Sequence, residues 1–549
     1  GHHPPDLAAH GMSPPLIVAS NRGPLTFERV RKGGLQARRG SGGLVTALSS
    51  ALIEAEGVWV AAAMSEGDRE MVAESKGGRI DHAEGDVSYR LRYLDIPPDI
   101  YDGYYNRISN GMLWFAHHYL WDTVTSPSFG PDVEEAWDQY VDVNRRFAQA
   151  LAEEGDALGR DTAFLIQDYH LSLVPRMLRE LIPDALIAHF SHTSIAGPTY
   201  FRMLPVRIHD QVLHGMPGAD VLGSHSPAWA ENFLLCARQL PGARVDLARS
   251  RIVTDGREVT VRIHPISVDG RAMREEAATP RVRNLRHALN RWRDNNRLIL
   301  RVDRLELTKN VVRGFQAYEL FLRRNPSWIG RVRFLALLSP SRMELPEYRE
   351  YTEACLEEAR RVNDALGRDG WLPIELRLKD DYIGAIAAYG LYDVLFVNPV
   401  IDGMNLVAME GPLLNRRRGV LVLSRNAGAY GRLGRYALPV NPFDVDEMAE
   451  ALEQAISMPV DERTRRSRGL SRLVLANPPA RWVRGQLEDL ERAAEDVVIG
   501  DGDGTEPLCL GVVDQRLRLD RAVVRPVGVH VEIHDDPVAV AERVTAGMH

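Results

Sequence analysis

Arg304 and Lys309 stand five positions apart, just after the apolar run 298–302. Two cations at a strand end, beside the free N–H groups of a following helix, suit a diphosphate. They also suit surface ion pairing, and spacing leaves both readings open. A second cluster, Asp402-Gly403-Met404-Asn405-Leu406-Val407-Ala408-Met409-Glu410, follows the apolar run 394–397. Gly403 permits a tight turn, which leaves the amides of Asn405, Leu406 and Val407 as helix-terminal donors. Asp402 then either accepts from a sugar hydroxyl or caps the helix. Glu410, about two turns on, is placed to accept from a ribose. The glycine loop Gly40-Ser41-Gly42-Gly43-Leu44 precedes a helical pattern over 45–54 and suits a phosphate or a plain flexible turn. It is neither a Walker motif nor G-x-G-x-x-G. Gln167-Asp168-Tyr169-His170 breaks polar out of the apolar run 163–166, as a cleft-lining cluster would. His192 follows the run 186–190, where a histidine serves either a cleft or the core.

Metal chemistry has poor support. Asp444-Val445-Asp446 has the form of a metal-binding D-x-D but sits where a helix cap is expected, and Asp501-Gly502-Asp503-Gly504 lacks the ligand ladder of a calcium loop. Cys236, Cys355 and Cys509 are far apart and odd in number, which argues against a zinc site and a disulfide framework and fits a reducing cytoplasm. No G-x-S-x-G and no paired Cys/His arrangement occurs. The expectation is no metal and no cofactor.

These clusters need elements to hold them. The chain has 549 residues, 45% hydrophobic and 26% charged, as soluble globular proteins do. Its 67 Lys+Arg against 75 Asp+Glu leave a formal charge of −8, which argues against nucleic acid as a partner. The basic run Arg416-Arg417-Arg418 reads as a solvated turn. No apolar run is long enough to span a membrane. Short apolar runs at 17–19, 58–60, 163–166, 186–190, 298–302, 334–337, 374–378, 394–397 and 420–423 alternate with helical patterns. Such runs are strands buried on both faces, so the expected class is α/β with parallel sheets. Val311, Phe315, Tyr318 and Leu322 form one helical stripe, which Asn325-Pro326 stops. Residues 1–11, rich in His and Pro before Met12, read as a tag-like segment and not a signal peptide. Domains are expected at 12–265 and 266–480, then a helix over 481–496 and an appended tail of unassigned role at 497–549. Gly500-Asp501-Gly502-Asp503-Gly504 reads as the linker to that tail, and 522–533 as a β-like run.

In this order the motifs resemble glycosyltransferase family 20, the trehalose-6-phosphate synthase family, over about 460 residues. The resemblance rests on Ser20-Asn21-Arg22, Ser41-Gly42-Gly43-Leu44, Tyr105-Asn106 through Leu113-Trp114, Asp168-Tyr169-His170-Leu171, His192, Arg304 with Lys309, Ser341-Arg342, and Asp402 to Val407 with Glu410. It implies a GT-B fold: two Rossmann-like domains facing a cleft, with a C-terminal helix crossing back to the first. It implies a retaining, metal-independent transfer from a nucleotide diphosphate glucose, GDP- or UDP-glucose, to glucose 6-phosphate. His192, Asp402, Arg304 and Lys309 would be catalytic. Gly42, Gly43, Arg304, Lys309, Asp402, Gly403, Met404, Asn405, Leu406, Val407 and Glu410 would bind the donor. Arg22, Tyr105, Trp114, Asp168, Tyr169 and Arg342 would grip the acceptor.

Departures fall mostly on the acceptor side: Thr193-Ser194-Ile195-Ala196-Gly197 follows His192, Ala62 replaces an aromatic, and Gln167 replaces a histidine. They keep open a related transferase or pseudo-glycosyltransferase of natural-product biosynthesis, acting on a modified sugar or cyclitol phosphate. A sensor of sugar phosphate built on the same fold is the reading from another class. Asp380 and Asp381 are placed to accept from a guanine base. Partners are small molecules, the location expected is cytoplasmic, and homo-oligomerisation is open.

Overall fold

The computed structural model describes residues 15–500 except 31–32, 41–44, 46–47, 50–51, 53–56, 85–86 and 160–161. Each apolar run named above forms a strand. Leu16–Ala19, Ala163–Gln167, Val394–Val397 and Val420–Ser424 are buried along their whole length, because both faces of each sheet are covered by helices. The helix Val311–Arg324 carries Val311, Phe315, Tyr318 and Leu322 fully inward and ends at Asn325, before Pro326.

Two sheets carry the site. The second is all parallel, in the order Ile374–Leu378, Val332–Pro340, Arg297–Leu305, Val394–Val397, Val420–Ser424, Leu438–Val440. In chain order this is 3-2-1-4-5-6, the doubly wound Rossmann order. Its switch point lies between Arg297–Leu305 and Val394–Val397, where Ile299 pairs with Val394. The Arg304–Lys309 turn leaves one of these strands and the Asp402 loop leaves the other. Ligands of such sheets bind at that crevice.

The first sheet repeats the logic. Leu16–Ala19 lies between Ala163–Gln167 and Val58–Ala62, all parallel. Arg22 and Asp168 therefore leave the carboxyl ends of neighbouring strands. His192 follows the next strand, Leu186–Ser191. Antiparallel pairs close both edges of this sheet, Arg244–Asp246 with Arg251–Thr254 at one and Arg79–Glu84 with Val87–Leu94 at the other.

The last described helix, Pro479–Gly500, returns to the first sheet. Its Trp482, 2% exposed, meets Phe190 edge-on at 4.9 Å and His192 at 5.4 Å. Its Asp489 takes His264 Nε2 at 2.5 Å and Arg262 Nε at 3.4 Å. One helix thus joins the two sheets and backs the site.

Three readings need revision or completion. The run Arg416–Arg418 is not only solvated: Arg417 turns onto buried Asp393 at 3.2 Å, beside Arg297 and Arg463, and together they compensate a carboxylate at the amino end of Val394–Val397. The stretch Gly103–Leu113 is a π-helix of 11 residues, a geometry that the spacing did not signal. The glycines Gly42 and Gly43, most of the helical pattern 45–54, Cys509 and the tail from 501 lie outside the described residues. Cys236 and Cys355 are buried free thiols. Among the described residues no helix is long and apolar enough to cross a membrane.

Trp482→Ala should remove a large buried ring from the contact between the closing helix and the first sheet. Its expected cost is about 3–5 kcal/mol, read as an earlier urea transition. A loss under about 1 kcal/mol would show that the helix is held by other contacts.

Candidate active site

The site lies where the two sheets point their strand ends at each other. From the second sheet, the turn Leu307–Lys309 brings Lys309 Nζ to 2.5 Å from Asp402 Oδ2. Burial works against charge on both groups. Asp402, Asp303 and Glu306 nevertheless raise the Lys309 ammonium above its usual value. For Asp402 the Lys309 charge and bond, with the amide of Asn405, outweigh burial and hold the carboxyl below the usual range. Both are ions at neutral pH.

The Asp402 loop is built for exposed amides. Met404 N–H donates to Asp402 Oδ1 at 3.3 Å and Asn405 Nδ2 to Oδ2 at 3.1 Å, while Asn405 Oδ1 caps the following helix through Ala408 N–H at 3.2 Å. Asn405 sits at φ +74°, a conformation that asparagine tolerates. The N–H groups of Asn405, Leu406 and Val407 take no partner among the described residues. They are the helix-terminal donors expected from the sequence. Asp402 does not cap this helix; Asn405 does, which leaves Asp402 for Lys309.

Gly403 is a glycine for a steric reason. A Cβ there would lie 2.1 Å from the His192 carbonyl oxygen, and the Gly403 carbonyl accepts from Trp229 Nε1 at 3.0 Å. This is where the second sheet's loop touches the first.

Farther along, Glu410 accepts from the Tyr389 hydroxyl at 2.8 Å, and burial raises its carboxyl above the usual value. Arg304, more than half exposed, reaches Glu306 Oε1 at 2.9 Å. Arg342 reaches the same oxygen at 2.9 Å.

Arg342 also bridges to the residues of the first sheet's side. Its guanidinium lies 3.9 Å from the Trp114 ring centroid, a cation–π contact, and Nε donates to Asn110 Oδ1 at 2.9 Å. The Tyr169 hydroxyl donates to that same Asn110 oxygen at 3.1 Å. The π-helix supplies Asn110 and runs straight into Trp114. Tyr105, on the same helix, stacks on Tyr101 at 5.3 Å and on His170 at 5.7 Å. Asn21 donates to the Tyr101 hydroxyl at 3.1 Å, which places exposed Arg22 at the mouth of this aromatic wall.

Asp168 and His192 close the other wall. Asp168 holds φ +72° and accepts the His192 N–H at 3.1 Å. Burial raises its carboxyl to about 6, against pulls from the Tyr169 and His192 amides and from Arg342 and Arg304. His192 Nε2 lies 2.9 Å from Gln167 Oε1. Burial, then the neighbouring His225 and His189, keep this imidazole neutral. Asp168, Asn310, Arg342 and Asn405 all adopt positive φ around one cleft, a clustering of strain typical of functional sites.

Asp168, His192, Arg304, Lys309, Arg342, Trp114, Tyr169 and Asp402 therefore converge. Arg22, Tyr105 and Glu410 flank them, and Met404 packs in the core beneath the loop. Of the departures, 193–197 is anchored to the end of the Trp114 helix: Ser194 Oγ donates to the His117 carbonyl at 2.7 Å and Gly197 N–H to the Tyr119 hydroxyl at 2.6 Å. Ala62 is buried at a strand end. Asp381 caps the helix Tyr382–Tyr389 through Gly384 N–H at 2.8 Å, while Asp380 is exposed. Asp444 caps Val445–Ser457, and Asp446 pairs with Arg324. Asn110 and Glu306 went unread in the sequence; Glu306 had a signal, a carboxylate between two cations, while Asn110 had none.

The model of glycosyltransferase family 20 matches residues 14–492. The chain belongs to glycosyltransferase family 20. It is 34% identical over 496 residues to a trehalose-6-phosphate synthase of Mycobacterium sp. (strain KMS), covering 86% of this chain and 94% of that protein. It is 30% identical over 487 residues to a validamine 7-phosphate valienyltransferase of Streptomyces hygroscopicus subsp. jinggangensis, with the same coverage. Among solved structures it resembles an α,α-trehalose-phosphate synthase (UDP-forming) of Burkholderia xenovorans in complex with glucose-6-phosphate. The TM-score is 0.73 and the identity 27%, over 87% of this chain and 100% of that one. The family makes it a glycosyltransferase of GT-B fold.

Above about pH 6 the native state holds a buried Asp168 carboxylate that the unfolded chain, with a pKa near 3.8, leaves in water. Stability from this group is fully present below pH 3.8 and lost as pH rises through 6. Asp168→Asn should therefore be more stable than the wild type by on the order of 1–3 kcal/mol at pH 8, a gap that closes toward pH 4. Urea titrations at pH 4, 6 and 8 check this; a gap independent of pH would contradict it.

Proposed function

We propose that this glycosyltransferase moves glucose from a nucleotide diphosphate glucose to glucose 6-phosphate and releases trehalose 6-phosphate, linked α,α-1,1. The observation that carries this reading is the pair of anion-binding clusters meeting at one seam. Arg304 and Lys309 lie at the switch point of the second sheet, and Arg342 lies against Trp114 of the first. A donor diphosphate and an acceptor phosphate fit these two clusters, with the Asp402 loop between them. The activities of the relatives support the same pairing.

In this reading the amides of Asn405, Leu406 and Val407 and the Asp402 carboxylate hold the donor glucose, and Glu410 accepts from the ribose. Arg342, Trp114, Tyr105 and Arg22 hold the acceptor phosphate, with Asp168 and Tyr169 beside the sugar. His192, neutral, faces the donor glucose. The anomeric C–O bond to the diphosphate breaks as the acceptor O1 bonds to the same face of that carbon. The acceptor hydroxyl proton passes to the leaving phosphate oxygen. Arg304 and Lys309 stabilise the charge on that group, the work that a divalent metal does elsewhere, and we assign no metal or cofactor to the reaction. Positioning supplies the rest. The enzyme acts on small molecules and, with two buried free thiols, suits a reducing cytoplasm.

A transfer to an amino-cyclitol phosphate is the second reading. The valienyltransferase likeness favours it, and so does the departure at 193–197, packed between the Gly403 loop and the end of the Trp114 helix.

The test incubates the protein with glucose 6-phosphate and UDP-, GDP- or ADP-glucose and follows product by mass spectrometry. A non-reducing disaccharide phosphate is expected, with nucleotide released only when acceptor is present. Arg304→Ala and Asp402→Ala should each lower turnover by at least about a hundredfold while the protein stays folded. Binding of sugar phosphate with no turnover would instead indicate a sensor. Full activity in either variant would refute the site. Asp380 is exposed and takes only a long bond from the Ser339 hydroxyl at 3.5 Å, whereas Asp381 caps a helix, so a GDP-glucose preference should fall in Asp380→Asn and stay in the wild type. An unchanged preference would remove Asp380 from the base site.

A further inference from the structure

Glu306 belongs to neither anion cluster and touches both. It is fully buried. Its Oε1 forms ion pairs with Arg304 Nη1 at 2.9 Å and Arg342 Nη1 at 2.9 Å and accepts the Ser341 hydroxyl at 3.0 Å. Its Oε2 is buried without a hydrogen-bond partner. Its backbone carbonyl accepts the Lys309 N–H at 3.0 Å, so the same residue starts the turn that carries the third cation.

We infer that Glu306 is a positioning residue that holds the donor-side arginine and the acceptor-side arginine at a fixed spacing through one carboxylate oxygen. The inference rests on the substrate assignment proposed above. Its ion pairs engage Nη1 of each guanidinium, while Arg342 donates through Nε to Asn110 at 2.9 Å and through Nη1 to the Tyr348 hydroxyl at 3.4 Å. In this inference the donors not engaged by Glu306 are left for two separate anions, one on each side of the carboxylate. Lys309 and both arginines hold the Glu306 carboxyl far below its usual value despite burial, so it stays an anion throughout the working range. Without this anchor the exposed Arg304 would sweep many rotamers, and Arg342, still stacked on Trp114 and bonded to Asn110, would lose the partner that fixes its Nη1, so each anion would have to order its arginine on binding.

The sign of the effect separates positioning from charge. On charge alone, neutralising Glu306 makes the seam more positive and tightens anions at both clusters. Positioning predicts the opposite: both anions bind more weakly, although Glu306 contacts neither.

The experiment measures binding of GDP, UDP, the corresponding free nucleosides and glucose 6-phosphate to the full chain and to Glu306→Gln. The expected result is a loss of about tenfold for the better diphosphate and for glucose 6-phosphate together, with nucleoside binding unchanged. A folded variant in which either anion binds as well as in the wild type, or more tightly, overturns the inference. So does a parallel loss of nucleoside binding, which would mean general damage. Glu306→Asp keeps the charge and should recover part of the loss at both clusters; no recovery counts against a charge-assisted anchor. If Glu306→Gln does not fold, Ser341→Ala removes one donor from the same oxygen. It should weaken both anions in parallel by about twofold to threefold, and an unchanged pair overturns the inference. A wild type that binds neither diphosphate nor glucose 6-phosphate defeats the substrate assignment itself, whatever Glu306 does.

Discussion

Cations buried at the meeting of two sheets must be compensated where they lie. Lys309 and Arg342 are each largely withdrawn from water. An uncompensated charge there would cost several kcal/mol. The chain answers with Asp402 against Lys309 and with Glu306 against Arg342 and Arg304. The cleft is thus lined by ion pairs, and each pair sits at a strand end that the topology had already aimed inward. The protein's own carboxylates thus charge and orient the groups that face anionic substrates.

The backbone bears the marks of this arrangement. Arg342 and Asp168 both adopt left-handed conformations, and neither is a glycine. Gly403 passes so close to the His192 carbonyl that no side chain fits. The π-helix widens its turn just before Trp114, and its Asn110 links Arg342 to Tyr169. These are local costs that the surrounding sheets hold in place. They fall on the walls of the cleft, while the strands behind it are regular and fully buried.

Much of this was legible in the residues. Runs such as 394–397 and 420–423 declare buried parallel strands, because only a sheet covered on both faces tolerates unbroken apolar residues. The positions just after those runs then name the candidate site, since strand ends of such sheets converge on ligands. Arg304, Lys309, Asp402 and His192 follow from that rule and meet as expected. What stayed hidden depends on contacts between distant segments. Nothing local marks Asn110 as the shared acceptor of Arg342 and Tyr169, 232 residues from the former. Asp381 looks free in the sequence yet spends its carboxylate on a helix end. Arg417 looks solvated, and a buried aspartate 24 residues before it captures its guanidinium.

In the proposed site one seam holds both substrates, with their phosphates on the two sides of Glu306. A crystal structure of the ternary complex with nucleoside diphosphate and glucose 6-phosphate tests it most directly. The diphosphate is expected on Arg304 and Lys309, the sugar phosphate on Arg342 beside Trp114, and Glu306 still paired with both arginines. A sugar phosphate bound away from Arg342 and Trp114, or a diphosphate out of reach of Lys309, would contradict it.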